Sequence, residues 1–76
     1  MKFEYLQEVI SEVLGLGKED ITLEADLVAD LGADSLDAAE LVMAIEDRFK
    51  VNISDEEAQK FKSVNEIWNF IAGNVE

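Results

Sequence analysis

The sequence has no cysteine, no histidine and no proline, and sets only six lysines and arginines against eighteen aspartates and glutamates. Without cysteine, neither a disulfide framework nor a thiolate metal site can support the fold. Without histidine, no imidazole can take the proton of a serine, and an unassisted hydroxyl is a weak nucleophile. Serine–histidine–acid catalysis is therefore excluded. A zinc site would need carboxylates alone, against the usual nitrogen and sulfur ligands. Paired-carboxylate chemistry stays open in principle, but 76 residues leave little room for a substrate cleft. The expectation is a protein that is not an enzyme, and any reactive thiol it uses must arrive with a cofactor. No apolar stretch approaches membrane-spanning length, and Met1-Lys2-Phe3-Glu4 lacks a basic segment leading into an apolar run. Neither membrane insertion nor a secretory signal is expected, and a cytoplasmic location is the default.

What is present begins with a hydrophobic content of 49%, enough for a real core despite the charge. Residues 1–76 are read as one small domain with a thin stability margin. The net charge of −12 argues against nucleic acid and against anionic membrane surfaces. It favours partners with lysine and arginine patches and fast, salt-sensitive encounter. The acids are concentrated: no basic residue stands between Lys18 and Arg48, where Glu19, Asp20, Glu24, Asp26, Asp30, Asp34, Asp37, Glu40, Glu46 and Asp47 fall. The plainer reading of that run is a solvated acidic surface.

Periodicity predicts four helices. Phe3, Leu6, Val9, Ile10, Val13 and Leu14 recur as one helical face, with Glu4, Glu8 and Glu12 opposite and Gly15 as a left-handed stop. Residues 16–34 show no helical period, and Ile21, Leu23, Leu27 and Leu31 read as anchors pinning a long loop to the core. A second helix is expected from Ser35 to Phe49, with Ala38, Leu41, Val42, Ile45 and Phe49 facing inward. Ser54 and Glu57 form a capping box for a short third helix ending near Phe61. Ser63 and Glu66 form another for the last helix, which buries Val64, Ile67, Phe70 and Ile71 and stops at Gly73. The predicted fold is all-α, a small four-helix bundle of three longer helices and one short one, with a long loop between helices 1 and 2. No apolar stripe is left over to demand a dimer, so a monomer is expected. An EF-hand is not met, because Asp26, Asp30 and Asp34 fall four apart rather than two.

The informative stretch is Asp30-Leu31-Gly32-Ala33-Asp34-Ser35-Leu36-Asp37, where the long loop enters the second helix. Gly32 permits a tight turn, and Asp34 or Ser35 would cap the helix. Taken alone, a serine here is most simply a cap. Yet a hydroxyl at this junction stands exposed, with a rigid helix behind it, where another enzyme can reach it. An anionic group on Ser35 would meet the donors and positive end of the helix, with Asp34 and Asp37 opposing.

The run Asp34-Ser35-Leu36, preceded by Leu31-Gly32 and followed by Asp37 and Glu40-Leu41-Val42, resembles the signature of acyl carrier proteins. Helix order, long first loop, acidic second helix and length extend the resemblance over the whole chain. The resemblance implies that Ser35, flanked by Asp34 and Leu36, accepts 4′-phosphopantetheine from coenzyme A. The terminal thiol of that arm would carry acyl groups as thioesters between enzymes of fatty acid biosynthesis. A phosphopantetheinyl transferase and synthesis enzymes with basic patches are then the implied partners. Ser54 stands where the family often has proline, and its capping box makes that exchange harmless. Trp68, Asn69, Arg48 and Lys50 are less typical positions.

Leu36, Asp37, Glu40, Met43, Glu46 and Asp47 are read as a docking face: acids steer a basic partner, and Leu36 with Met43 fill small apolar pockets. Ala38, Ala39 and Ala44 beside Leu41, Val42 and Ile45 leave room for a pliable cavity that an acyl chain could enter. Asp30, Asp34, Asp37 and Glu40 are candidate weak sites for a stabilising divalent cation, and no firm metal site is expected. Two alternatives remain at this level: an aminoacyl or polyketide carrier, or an unmodified acidic adaptor in which Ser35 is only a cap.

Overall fold

The computed structural model describes residues 2–74, and four α-helices follow in the expected order. They are α1 (Phe3–Leu14), α2 (Ser35–Phe49), α3 (Asp55–Gln59) and α4 (Val64–Asn74). Among the described residues, extended pairing is limited to one isolated antiparallel bridge between Asp26 and Ser63. The all-α bundle with three longer helices and one short one is what the structure has.

Each long helix buries the middle of the stripe that its spacing demanded: Leu6, Val9 and Ile10 from α1, Leu41 and Ile45 from α2, and Val64, Ile67 and Ile71 from α4, while Phe3, Val13, Leu14, Val42, Phe49 and Phe70 are half-buried at its edges. Together with Ile21, Leu27, Leu31 and Ile53 they make one continuous core. Fully burying each such side chain contributes about 1.5–3 kcal/mol relative to leaving it in water. α1 stops at Gly15, whose φ of 70° is left-handed and whose N–H donates to the Ser11 carbonyl. Glu12 near the end of α1 meets Arg48 near the end of α2 at 3.2 Å, so the C-terminal ends of the two helices lie together. The chain must therefore travel back along the bundle between them, which is why the connection is long.

That connection is stitched down rather than draped. The side-chain amide of Gln7 donates to the Ile21 carbonyl at 2.8 Å, just past a short 3-10 turn at Lys18–Asp20. Farther on, Leu27 N–H donates to Lys62 at 3.0 Å, Val64 N–H to Ala25 at 3.0 Å, and Asn65 N–H to Leu23 at 3.1 Å. Ile21, Leu27 and Leu31 are buried as expected, and Ala25 and Ala33 join them. Leu23 is not: its side chain is 37% exposed. It anchors the loop through its carbonyl, so the side chain is free to face water.

Three further expectations need correction. Ala38 is exposed rather than in the core, because α3 has no buried residue and does not cover that part of α2. α3 ends at Gln59, before Phe61, which turns to pack edge-on against Phe70 with ring centroids 5.5 Å apart. Gly73 does not end α4, which continues through Asn74, and the left-handed glycines are Gly15 and Gly32. The Asn74 amide donates to the Phe70 carbonyl at 2.7 Å, satisfying a last-turn acceptor without a left-handed residue.

Among the described residues there are two ion pairs, Lys18–Glu4 at 3.3 Å and Arg48–Glu12 at 3.2 Å, both exposed and so individually weak. Each pair is neutral overall, so the net charge of −12 remains as repulsion. Raising monovalent salt from about 10 mM to about 300 mM shortens the Debye length from ~30 Å to well under 10 Å. The melting temperature is expected to rise, by roughly 4–8 °C per kcal/mol of repulsion relieved. A calorimetric midpoint that ignores salt across that range would remove repulsion as a limit on stability.

Candidate functional site

The turn that leads into α2 is built from aspartates. Asp26 Oδ1 accepts the N–H groups of Val28 and Ala29 at 2.9 and 2.8 Å, and Asp30 Oδ2 accepts that of Asp26 at 2.7 Å. Short polar side chains close turns by bonding the backbone a few residues away, and here two of them interlock. Gly32 leaves the turn at φ 71°, a conformation that costs glycine nothing, and the Ala33 N–H then donates to Leu27 at 2.8 Å. The chain reaches Asp34 with its direction set.

Asp34 caps α2. Its Oδ1 accepts the Asp37 N–H at 2.9 Å, and Asp37 Oδ2 accepts the Asp34 N–H at 3.2 Å, a reciprocal box. Of the two residues that could have capped the helix, the aspartate does so, and Ser35 is left as the first helical residue. Ser35 is exposed, and among the described residues nothing bonds its Oγ. The other serines are engaged: Ser11 Oγ donates to the Leu16 carbonyl, while Ser54 and Ser63 Oγ accept from Glu57 and Glu66 N–H at 3.2 and 3.4 Å. Ser35 and Leu36 keep backbone N–H groups that a helix start cannot satisfy internally. A free hydroxyl, with unused donors beside it, suits a covalently attached phosphate group. Losing the Asp34 cap should cost about 1 kcal/mol, so Asp34→Ala is expected to lower the urea midpoint with little change in its slope.

Leu36 and Met43 are 73% and 65% exposed, and lie with Glu40 and Asp47 on one outward stripe of α2. These four of the six residues named as a docking face are exposed. Asp37 is half-buried and occupied by the cap. Glu46 is turned away: its Oε2 accepts the Ile53 N–H at 2.8 Å. Val28, 69% exposed on the interlocked turn, is a further exposed apolar residue that spacing did not single out. Its neighbours Leu27 and Leu31 are buried, and in a loop without a period nothing in the sequence distinguishes it from them.

Three of the four acids named as weak cation candidates hold backbone N–H groups. Asp34 and Asp37 are committed to the cap and Asp30 to Asp26, and among the described residues no group of three or more potential ligands could hold a metal ion.

An open groove of about 520 Å³ starts at Ser35 and runs between α2 and α3, lined by Ala38, Ala39, Val42, Ile53 and Ala58 among others. Beneath it lies a void of about 20 Å³ walled by Leu41, Ile45, Phe61 and Ile67, with Ala38, Val42 and Ala58 common to both. Three small or half-buried side chains thus separate the groove from the core. The exposed Ala38 is part of a groove wall, which its helical spacing did not reveal.

A family model described as a phosphopantetheine attachment site matches residues 4–71. The chain is 42% identical over 76 residues to an acyl carrier protein of Clostridium acetobutylicum, covering 100% of this chain and 99% of that protein. It is 47% identical over 76 residues to an acyl carrier protein of Phytoplasma mali, covering 100% and 90%, and 47% over 72 residues to one of Helicobacter acinonychis, covering 95% and 92%. A solved structure from Mycobacterium tuberculosis, described as an acyl carrier protein, aligns with a TM-score of 0.87 at 34% identity over 93% of this chain and 95% of that one.

Proposed function

This chain belongs to the acyl carrier protein family and carries acyl groups on a 4′-phosphopantetheine arm, and from that premise we propose that Ser35 holds the arm. The observation that carries the proposal is the division of labour at the start of α2: Asp34 caps, and the Ser35 hydroxyl is left exposed and unbonded. When bound, the arm supplies the thiol that this cysteine-free chain lacks, on which acyl groups ride as thioesters. Ser35 Oγ bonds to phosphorus as the pyrophosphate bond of coenzyme A breaks and adenosine bisphosphate departs. The hydroxyl proton goes to a base of the transferase, since the chain has no histidine to take it. The protein's part is to present the oxygen on a stiff turn and to offer the Ser35 and Leu36 N–H groups to the phosphate.

We read the cargo as the growing chain of fatty acid synthesis. The groove beginning at Ser35 is apolar along Ala38, Ala39, Val42 and Ile53. Burying an alkyl chain there gains about 0.8 kcal/mol per methylene, which favours a hydrocarbon over an aminoacyl group. Residues 1–76 act as one carrier domain, monomeric and cytoplasmic, passing between enzymes rather than catalysing. The carboxylates beside Ser35, Asp34 and Asp37, are engaged in the cap, and the acidic face with Leu36 and Met43 suits the basic surfaces of a transferase and of synthesis enzymes.

Incubation with coenzyme A, magnesium and a broad-specificity phosphopantetheinyl transferase is expected to add the mass of one phosphopantetheine. An unchanged mass in a folded sample would return the reading to an acidic adaptor. Docking has its own test. Replacing Leu36 and Met43 by alanine removes exposed side chains, so stability should shift by no more than about 0.5 kcal/mol. Affinity for a basic partner enzyme should fall roughly 10- to 100-fold, as when central apolar anchors are truncated. Unchanged binding in a titration calorimeter would move the docking face off α2.

A further inference from the structure

Glu46 differs from the other acids of α2. Its carbonyl accepts N–H bonds from Lys50, which closes the helix, and from Val51 at 3.3 Å. Its carboxylate then reaches the Ile53 N–H at 2.8 Å. One residue thus ends α2 with its main chain and catches the outgoing loop with its side chain. Ile53 is buried and immediately precedes Ser54, the cap of α3. α3 has five residues, none of them buried, and only the half-buried Ala58 packs from it against the core. A helix that short has no stability of its own, so its position depends on its ties. Glu46 and Ile53 both line the groove between α2 and α3.

We propose that Glu46 is a positioning residue: its carboxylate latches α3 to α2 and sets the groove that shelters the acyl chain, rather than serving as a docking acid. The inference rests on reading that groove as the shelter for the cargo. A bond from a backbone N–H to a carboxylate is stronger than a neutral one, and losing it leaves the N–H of a buried residue without a partner. The two roles ask for different chemistry. Docking needs the negative charge, whereas the latch needs only an oxygen acceptor at the same reach. Glutamine keeps the acceptor and removes the charge, and alanine removes both.

The test is amide hydrogen exchange on the unmodified full chain, read by NMR at Ile53, for Glu46→Ala and Glu46→Gln. Alanine is expected to speed Ile53 exchange roughly tenfold with α1 amides unchanged, and glutamine to hold it within about threefold of the parent. After loading with an acyl arm that ends in a water-sensitive fluorophore, alanine is expected to give the solvated emission and glutamine the sheltered one. Two results overturn the latch: equal exchange in both variants, or an Ile53 amide indifferent to alanine. Slower partner association in both variants alike, with Ile53 protection intact, would return Glu46 to the docking face. Failure to load would remove the cargo reading, while the exchange data would still decide the latch.

Discussion

Ser35→Ala is expected to abolish uptake of the arm completely while leaving the fold and melting temperature essentially unchanged. The separation follows from what Ser35 does not do. Its side chain neither caps α2, a task held by Asp34, nor enters the core. A surface substitution of this kind shifts stability by no more than about 0.5 kcal/mol, and alanine is the better helix former. The other serines, Ser11, Ser54 and Ser63, are each engaged in a hydrogen bond, unlike Ser35. Intact mass after incubation with coenzyme A and transferase checks the first half, and a thermal scan the second. Persistent mass gain would place the arm elsewhere. A large fall in melting temperature would mean that the serine does structural work that the capping geometry denies it.

Ile45→Ala is expected to remove about 2–5 kcal/mol of stability, the range for truncating a large buried aliphatic residue. For a chain of 76 residues the whole margin is of order 4–11 kcal/mol at about 0.05–0.15 kcal/mol per residue. One side chain could therefore take half of it. Ile45 is completely buried and already borders the void of about 20 Å³ under the groove. Truncation enlarges a space that exists, so the neighbours have less chance to close around it. Urea unfolding should show a lower midpoint with an unchanged slope. A loss below about 1 kcal/mol would mean that α3 settles into the gap, and that the wall between groove and core is soft.

Most of the fold was legible because it depends on local spacing. The boundaries of α2, the left-handed Gly15 and the boxes of Ser54 with Glu57 and Ser63 with Glu66 all follow from residues within one or two turns of each other. Ser35, which we propose holds the arm, drew notice through its place at a loop–helix junction and the resemblance of the octapeptide around it. The misread positions share a cause. Leu23 and Ala38 were assigned inward by side-chain type and period, yet burial depends on what lies opposite. Opposite Ala38 is a short helix that leaves a groove, and Leu23 is tied by its carbonyl, which no pattern of side chains reports. The docking acids divide in the same way. Glu40, Glu46 and Asp47 are alike in sequence, but only Glu46 meets a loop amide seven residues on.

The sequence by itself determined the helices, much of the core stripes, the lack of any thiol and the acidic, histidine-free composition. These are properties of composition and of contacts within a few residues. Tertiary structure decided which of Asp34 and Ser35 caps α2, which acids face water, and that a groove opens beside Ser35. Each of those depends on groups far apart in the chain arriving at the same place. Hydrogen bonds and packing act over a few ångströms, so only the closed bundle can choose between side chains that are locally equivalent.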